Sequence, residues 1–158
     1  MRVKKILVVC LGNICRSPTA HAILRHKAQL KSLDIEIDSA GTSASHKGEP
    51  PDSRSIKAGS ARGYHFNDLY SRPVFDHDFA NFDLILAMDN DNLAELNRRC
   101  PAEFAHKVKL FLSFHPEYPT ISEVPDPYYS GSKGFELVLD LIERACDNLV
   151  SAPEITGR

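Results

Sequence analysis

The chain has 158 residues, 42% of them hydrophobic and 25% charged, which is the size of one domain with a core of its own and the composition of an ordinary globular protein. Nineteen Lys and Arg against twenty-one Asp and Glu leave a formal net charge of -2, excluding the broad basic field that holds a nucleic acid, so any anion site has to be local. The apolar runs are too short to cross a bilayer, and the opening MRVKKILVVC meets Gly12 and Asn13 before a signal-peptide core is complete, so the expectation is a cytoplasmic protein with a single domain over residues 1–158.

In chain order, the continuous apolar run KKILVV at residues 4–9 has the pattern of a strand covered on both faces in a parallel sheet. A turn follows, and then a helix predicted over about residues 17–30, with Ser17 as its N-cap and Pro18 at the first helical position. A second strand is predicted at 35–38 (IEID), followed by an irregular segment at 42–52 and a helix over about 53–62. A third strand is predicted at 82–88 (FDLILAM), with a helix at 90–99, and a fourth at 108–112 (VKLFL). A second long irregular segment covers 115–132. The last helix, about 133–150, carries one apolar face made of Phe135, Val138, Leu139, Ile142, Cys146, Leu149 and Val150.

Four strand-helix alternations with right-handed crossovers imply a three-layer α/β/α domain around a four-stranded parallel sheet, in the flavodoxin-like order 2-1-3-4. Ligands of such sheets bind beyond the carboxyl ends of the strands, where VVC ends and where both irregular segments can reach.

Four cysteines, Cys10, Cys15, Cys100 and Cys146, are few and irregularly spaced, and none forms a Cys-x2-Cys pair, so reduced thiols are expected rather than a disulfide scaffold or a zinc site. Cys100 and Cys146 fall on predicted helices as core thiols. A lone strand-end cysteine is commonly a small buried hydrophobe. The stretch Cys10-Leu11-Gly12-Asn13-Ile14-Cys15-Arg16-Ser17-Pro18 is more specific than that. A strand-to-helix loop closed by a helix N-terminus is an anion cradle of unpaired amides, and Gly12 is expected to supply the backbone freedom it needs. Arg16 adds a planar fork that binds two oxygens of a phosphate. In such a field a thiol ionises more readily than a free cysteine, and the thiolate is the nucleophile. Cys10 is then an attacking group aimed at phosphorus, with Ser17 in reach to donate a hydrogen bond to it.

Breaking a P–O bond also requires a proton for the leaving group and then a base for water, and one carboxyl can do both. EVPDPYYSG offers Asp126 between Pro125 and Pro127, with Tyr128 and Tyr129 as walls of an aromatic slot.

VCLGNICRSP, DSAGTS, PPDSR, FDLILAMD followed by NL, and DPYY, in this order, closely resemble the low-molecular-weight protein tyrosine phosphatases over essentially the whole chain. The resemblance implies Cys10 as nucleophile, Arg16 as phosphate clamp, Asp126 as general acid and then base, Asn13 as a brace of the loop and Ser17 as the thiolate's partner. It further implies phosphotyrosine proteins or peptides as partners, inorganic phosphate as product, no metal or other cofactor, no nucleic acid or membrane partner, and a monomer or weak homodimer. The phosphate-binding set implied is Leu11, Gly12, Asn13, Ile14, Cys15, Arg16 and Ser17, with Tyr128 and Tyr129 on the substrate's ring. It suggests a Cys10–Cys15 disulfide under peroxide as well, against the simpler reading of Cys15 as packing.

Two positions depart from the family pattern. The loop ASHKG places Ser45 and His46 where an aromatic is frequent, thinning one wall of the slot, and Leu69 stands near a position where many members have a histidine supporting the loop serine, so Ser17 is expected to be braced differently. Arsenate reductases and protein arginine phosphatases share the scaffold. The first need further cysteines near the third strand, absent from FDLILAMDNDN, and the second carry a threonine where this chain has Ile14. A catalytically silent phosphopeptide-binding module would need neither the thiol nor the acid. The helix histidines His21 and His26 do not share a face, and His46 and His115 are read as surface residues of edge loops.

Overall fold

The computed structural model describes residues 2–157. Four strands, β1 (Lys5–Cys10), β2 (Glu36–Gly41), β3 (Leu84–Ala87) and β4 (Val108–Leu110), form one sheet in the order β2-β1-β3-β4, with every pairing parallel. The helices are α1 (Arg16–Leu30), α2 (Ser53–Ala61), α3 (Asp78–Asn81), α4 (Asn90–Arg99), α5 (Gly131–Leu149) and α6 (Pro153–Thr156). The three-layer architecture and the strand order are those expected from the sequence, and the short α3 and α6 are additions to it.

The side-chain alternation of β1 divides the core. Ile6, Val8 and Cys10 face the cluster built with Ala20, Ile23 and Leu24 of α1 and with Val138, Leu139, Ile142 and Leu149 of α5. Leu7 and Val9 face the opposite cluster with Phe79 of α3, Leu96 of α4 and Ile85 and Ala87 of β3. A strand buried on both faces has no polar positions to spare, which is why β1 reads as an unbroken apolar run. Each buried Leu, Ile or Val side chain contributes about 1.5–3 kcal/mol of transfer free energy. Arg62, just after α2, binds Glu136, Asp140 and Glu143 along α5 and fastens the two helices together.

Most boundaries move by a residue or two from the sequence-based expectation, β3 shortening to Leu84–Ala87, and three of the differences have a physical reason. β2 runs on to Gly41, because Ser39, Ala40 and Gly41 pair with Val8, Val9 and Cys10 despite their weak strand propensity. β4 stops at Leu110, where Phe111–Phe114 turn into a 3-10 helix. α1 starts one residue earlier than expected, with Cys15 in the N-cap position, Ser17 already inside the first turn and no side-chain cap.

The first crossover carries the chain from β1 to β2 on one side, and the second brings it back past β1 to β3. The carboxyl end of β1 therefore lies at the switch point, where the connecting loops diverge and leave a crevice.

Candidate active site

The loop formed by residues 10–16 is tied to the segments around it through the carbonyls of Cys10, Leu11, Gly12, Ile14 and Cys15. The carbonyl of Cys10 accepts from the Thr42 amide at 2.9 Å, that of Leu11 from Ser43 at 2.9 Å, and that of Ile14 from Asp52 at 2.7 Å. The Gly12 carbonyl accepts from Ser71 Oγ at 2.9 Å, and the Cys15 carbonyl from Thr19 Oγ1 at 2.7 Å. With the oxygens tied away and no side chain capping α1, the amides are left to face the centre of the loop, the arrangement of an anion-binding nest.

The left-handed residue of the ring is Asn13, with φ of 56°, rather than Gly12. At Gly12 a Cβ would lie 2.9 Å from Cδ2 of His46, so a side chain there would displace that half-buried imidazole. Asn13 tolerates the left-handed region because its short side chain bonds locally. Its Oδ1 accepts from the Arg72 amide at 3.0 Å, and its Nδ2 donates to Ser17 Oγ at 2.7 Å. Ser17 Oγ thus has its proton to offer elsewhere, with Cys10 Sγ 3.1 Å away and the Ala40 carbonyl at 3.4 Å. This is how the serine is braced without a histidine near Leu69. At Gly41 a side chain cannot enter, since a Cβ would sit 2.7 Å from the Leu11 carbonyl.

Arg16 is buried, and its Nη1 donates to Asp89 Oδ2 at 2.6 Å and to the Val124 carbonyl at 3.0 Å. Burial acts to lower its pKa, but the charges around it, Cys10, Asp89 and Asp126 together with the Asp89 hydrogen bond, outweigh burial and hold it above its ordinary value. Asp126 Oδ2 stands 3.8 Å from Arg16 Nη2, with its side chain half exposed. Burial first, and then the Asp52 carboxylate, push the Cys15 thiol up to about 12, so Cys15 stays protonated at neutral pH.

A cleft of about 260 Å³ opens over the ring, lined by Cys10, Arg16 and Asp126 at its polar end and by Leu11, Ile14, Tyr128 and Tyr129 at its apolar rim. Gly12, Cys15, Ser43, Ser45 and His46 complete the wall. Asn13 and Ser17 sit behind the ring. Tyr128 and Tyr129 meet edge to face with centroids 4.9 Å apart.

His115, expected on the surface, is buried, with its Nδ1 accepting from the Glu117 amide, and it is absent from the cleft lining. Cys100 is at the C-terminal boundary of α4 and half-buried, while Cys146 is fully buried on α5. Asp89, Ser71 and Asp52 are the residues that sequence reasoning missed. Asp89 had one available signal, its place directly after a predicted strand on the ligand-binding edge. The contacts of the other two are made across the fold and leave no local pattern.

The family description "low molecular weight phosphotyrosine protein phosphatase" matches residues 5–156. The chain belongs to the low molecular weight protein tyrosine phosphatases. It is 44% identical over 135 residues to the member from Schizosaccharomyces pombe, covering 83% of this chain and 85% of that one. The human member is 40% identical over 151 residues, covering 90% and 91% respectively. A crystal structure of a protein tyrosine phosphatase from Entamoeba histolytica, with Hepes in its active site, superposes with a TM-score of 0.92 at 47% identity, covering 98% of this chain and 99% of that one. This phosphatase is accordingly a hydrolase. Among its described residues, no helix is long and apolar enough to cross a membrane.

Proposed function

We propose that this phosphatase hydrolyses phosphotyrosine in proteins or peptides, and small aryl phosphates, through a cysteinyl-phosphate intermediate on Cys10. The observation that carries the reading is the pairing of Cys10 Sγ with Ser17 Oγ at 3.1 Å beside a ring whose carbonyls at Cys10, Leu11, Gly12, Ile14 and Cys15 are bonded to the surrounding segments. A phosphoryl group seated there meets backbone amides on its equatorial oxygens and the Nε–Nη2 edge of Arg16, since Nη1 is committed to Asp89 and Val124.

In the first step, the Cys10 sulfur attacks phosphorus, the P–O bond to the phenol breaks, and Asp126 transfers its proton to the departing oxygen. In the second, Asp126, now a carboxylate, takes a proton from water as its oxygen attacks phosphorus. The S–P bond breaks and inorganic phosphate leaves, with the Ser17 hydroxyl stabilising the released thiolate. The apolar rim of Leu11, Ile14, Tyr128 and Tyr129 favours an aromatic ring over a guanidinium, which would need a hydroxyl or carboxylate partner where Ile14 presents hydrocarbon.

Cys10→Ser should abolish 4-nitrophenyl phosphate hydrolysis while oxyanion binding stays measurable, and substantial remaining turnover would sink the nucleophile assignment. Asp126→Asn should cost about 100-fold or more in kcat/KM on a poor leaving group and much less on a good one. Equal losses on both would remove the acid role. Side-by-side turnover of phosphotyrosine, phosphoarginine and arsenate decides the substrate class.

A further inference from the structure

The segment carrying Asp126 is a loop between β4 and α5, yet the proposed acid has to meet a leaving oxygen whose position is fixed by the phosphate ring. This loop is tethered on both sides of Asp126, and the carboxyl itself stands 3.8 Å from Arg16 Nη2, while Glu123 accepts from the Asn90 amide at 2.9 Å. Upstream, the Val124 amide donates to the Met88 carbonyl at 2.8 Å, and the Val124 carbonyl accepts from Arg16. Inside the loop the bonds are local: the Tyr128 amide to Asp126 Oδ1 at 3.1 Å, and the Ser130 amide to the Pro127 carbonyl at 3.0 Å. They shape the turn without fixing it relative to the ring.

The downstream tether is Arg54. Its Nη1 donates to the Tyr128 carbonyl at 2.8 Å, and its guanidinium lies over two rings, 5.0 Å from the centroid of Tyr128 and 4.8 Å from that of Phe135. The other edge of the fork is locked: Nε reaches Asp52 Oδ1 at 3.0 Å and Nη2 reaches Asp52 Oδ2 at 2.9 Å. Asp52 in turn donates its amide to the Ile14 carbonyl of the phosphate ring at 2.7 Å. An unbroken path, Ile14–Asp52–Arg54–Tyr128, thus links the ring to the acid loop two residues from Asp126.

We propose that Arg54 is a positioning residue that fixes the Asp126 loop over the phosphate ring, so that the carboxyl is held where the leaving oxygen will be. The proposal rests on Asp126 being the general acid. A bidentate, ring-stacked guanidinium suits the task, because only its planar fork bonds Asp52 and the Tyr128 carbonyl at once while stacking on both rings. An ammonium is a point charge and cannot make all of these contacts.

The test is the leaving-group dependence of kcat/KM, read with 4-nitrophenyl phosphate and phenyl phosphate, together with inhibition by vanadate, for Arg54→Gln, Arg54→Lys, Asp126→Asn and the Arg54→Gln/Asp126→Asn pair. Loss of positioning should lower phenyl phosphate turnover by about 10-fold in Arg54→Gln, part of the 100-fold or more that a general acid supplies. 4-nitrophenyl phosphate should fall by less than about threefold, and vanadate inhibition should hold within about twofold, reflecting an intact ring. Arg54→Lys should fall between wild type and Arg54→Gln, and it carries the same comparison should the glutamine variant fail to fold. In the double variant no loss should appear beyond that of Asp126→Asn, because Arg54 acts through Asp126.

Uniform losses on both substrates, weakened vanadate inhibition, or additive losses in the double variant would overturn the proposal. A steep leaving-group response in Asp126→Asn beside a flat one in Arg54→Gln overturns it alone. A flat response in Asp126→Asn itself brings down the acid assignment and the proposal with it.

Discussion

Arg16 and Asp89 show how the orientation of one side chain depends on another. A guanidinium has five donors and can turn several edges toward a phosphate, so a single productive edge has to be selected. Asp89 selects it, holding Nη1 at 2.6 Å while its other oxygen caps α4 through the Asn92 amide at 2.7 Å. Asp89→Asn retains an oxygen for the cap and removes the charge. A hydrogen bond between charged groups is worth about 1.5–3 kcal/mol, so kcat/KM for 4-nitrophenyl phosphate should drop by about 10- to 100-fold, and phosphate inhibition should weaken in parallel. Unchanged phosphate inhibition would mean that Arg16 keeps its orientation without the carboxylate. Cys15 shows the opposite case: one residue from Arg16, it is nevertheless buried against Asp52 and stays a thiol. Proximity to the anion site is not what makes a cysteine reactive. What the residue faces decides it, and that is not written in spacing.

The elements most legible in the sequence are those whose formation depends on burial alone. β1 and α5 are bounded within a residue or two by their apolar patterns, since a doubly covered strand and a one-sided helix leave different periodicities. The second half of β2 is invisible in the sequence because Ser39, Ala40 and Gly41 are strand only by pairing with β1, and Gly41 is required there by the close Leu11 carbonyl rather than by the sheet. The start of α1 departs from its local signals for a related reason. Ser17 and Pro18 carry ordinary cap signals, but the helix starts earlier so that its uncapped amides face the ring. The local rules gave way at the candidate site, where function and local preference compete. α2 offers an element-scale test. A Cβ on Gly59 would lie 2.4 Å from Cε1 and 2.5 Å from Cζ of the buried Phe66 ring. Gly59→Ala gains up to about 1 kcal/mol in helix propensity, but overpacking a filled core costs about 1–3 kcal/mol and dominates at this separation. The variant should melt several degrees lower by calorimetry, at about 2–4 °C per kcal/mol for a chain of this size. A melting temperature equal to or above that of the native protein would show that α2 shifts away from Phe66 at no cost.

At the scale of the whole molecule, the same packing that sets the ring couples folding to pH through a group outside the cleft. His21 lies on the face of α1 that meets β2, only 7% exposed, with Nδ1 3.0 Å from Ser39 Oγ. Burial first, and then the Arg25 charge, lower its pKa from 6.5 to about 4, so the native protein keeps it neutral at pH 5 while the unfolded chain protonates it. Between those two values the unfolded state binds more protons, and stability therefore rises with pH. Conversely, the stability associated with neutral His21 is fully present above about pH 6.5 and is lost as the pH falls toward 4, at up to about 1.4 kcal/mol per pH unit and about 3 kcal/mol in total. His115, also lowered by burial, adds a smaller loss of the same sign. Urea unfolding of the wild type and of His21→Asn at pH 7, 6, 5 and 4.5 separates the two contributions. The asparagine variant carries a packing cost that does not vary with pH, and because only the wild type loses stability as His21 of the unfolded chain takes up a proton, the two curves should converge as the pH falls. A stability difference that stays constant across the range would mean that His21 titrates alike in the folded and unfolded chains, and that burial against Ser39 does not control its charge.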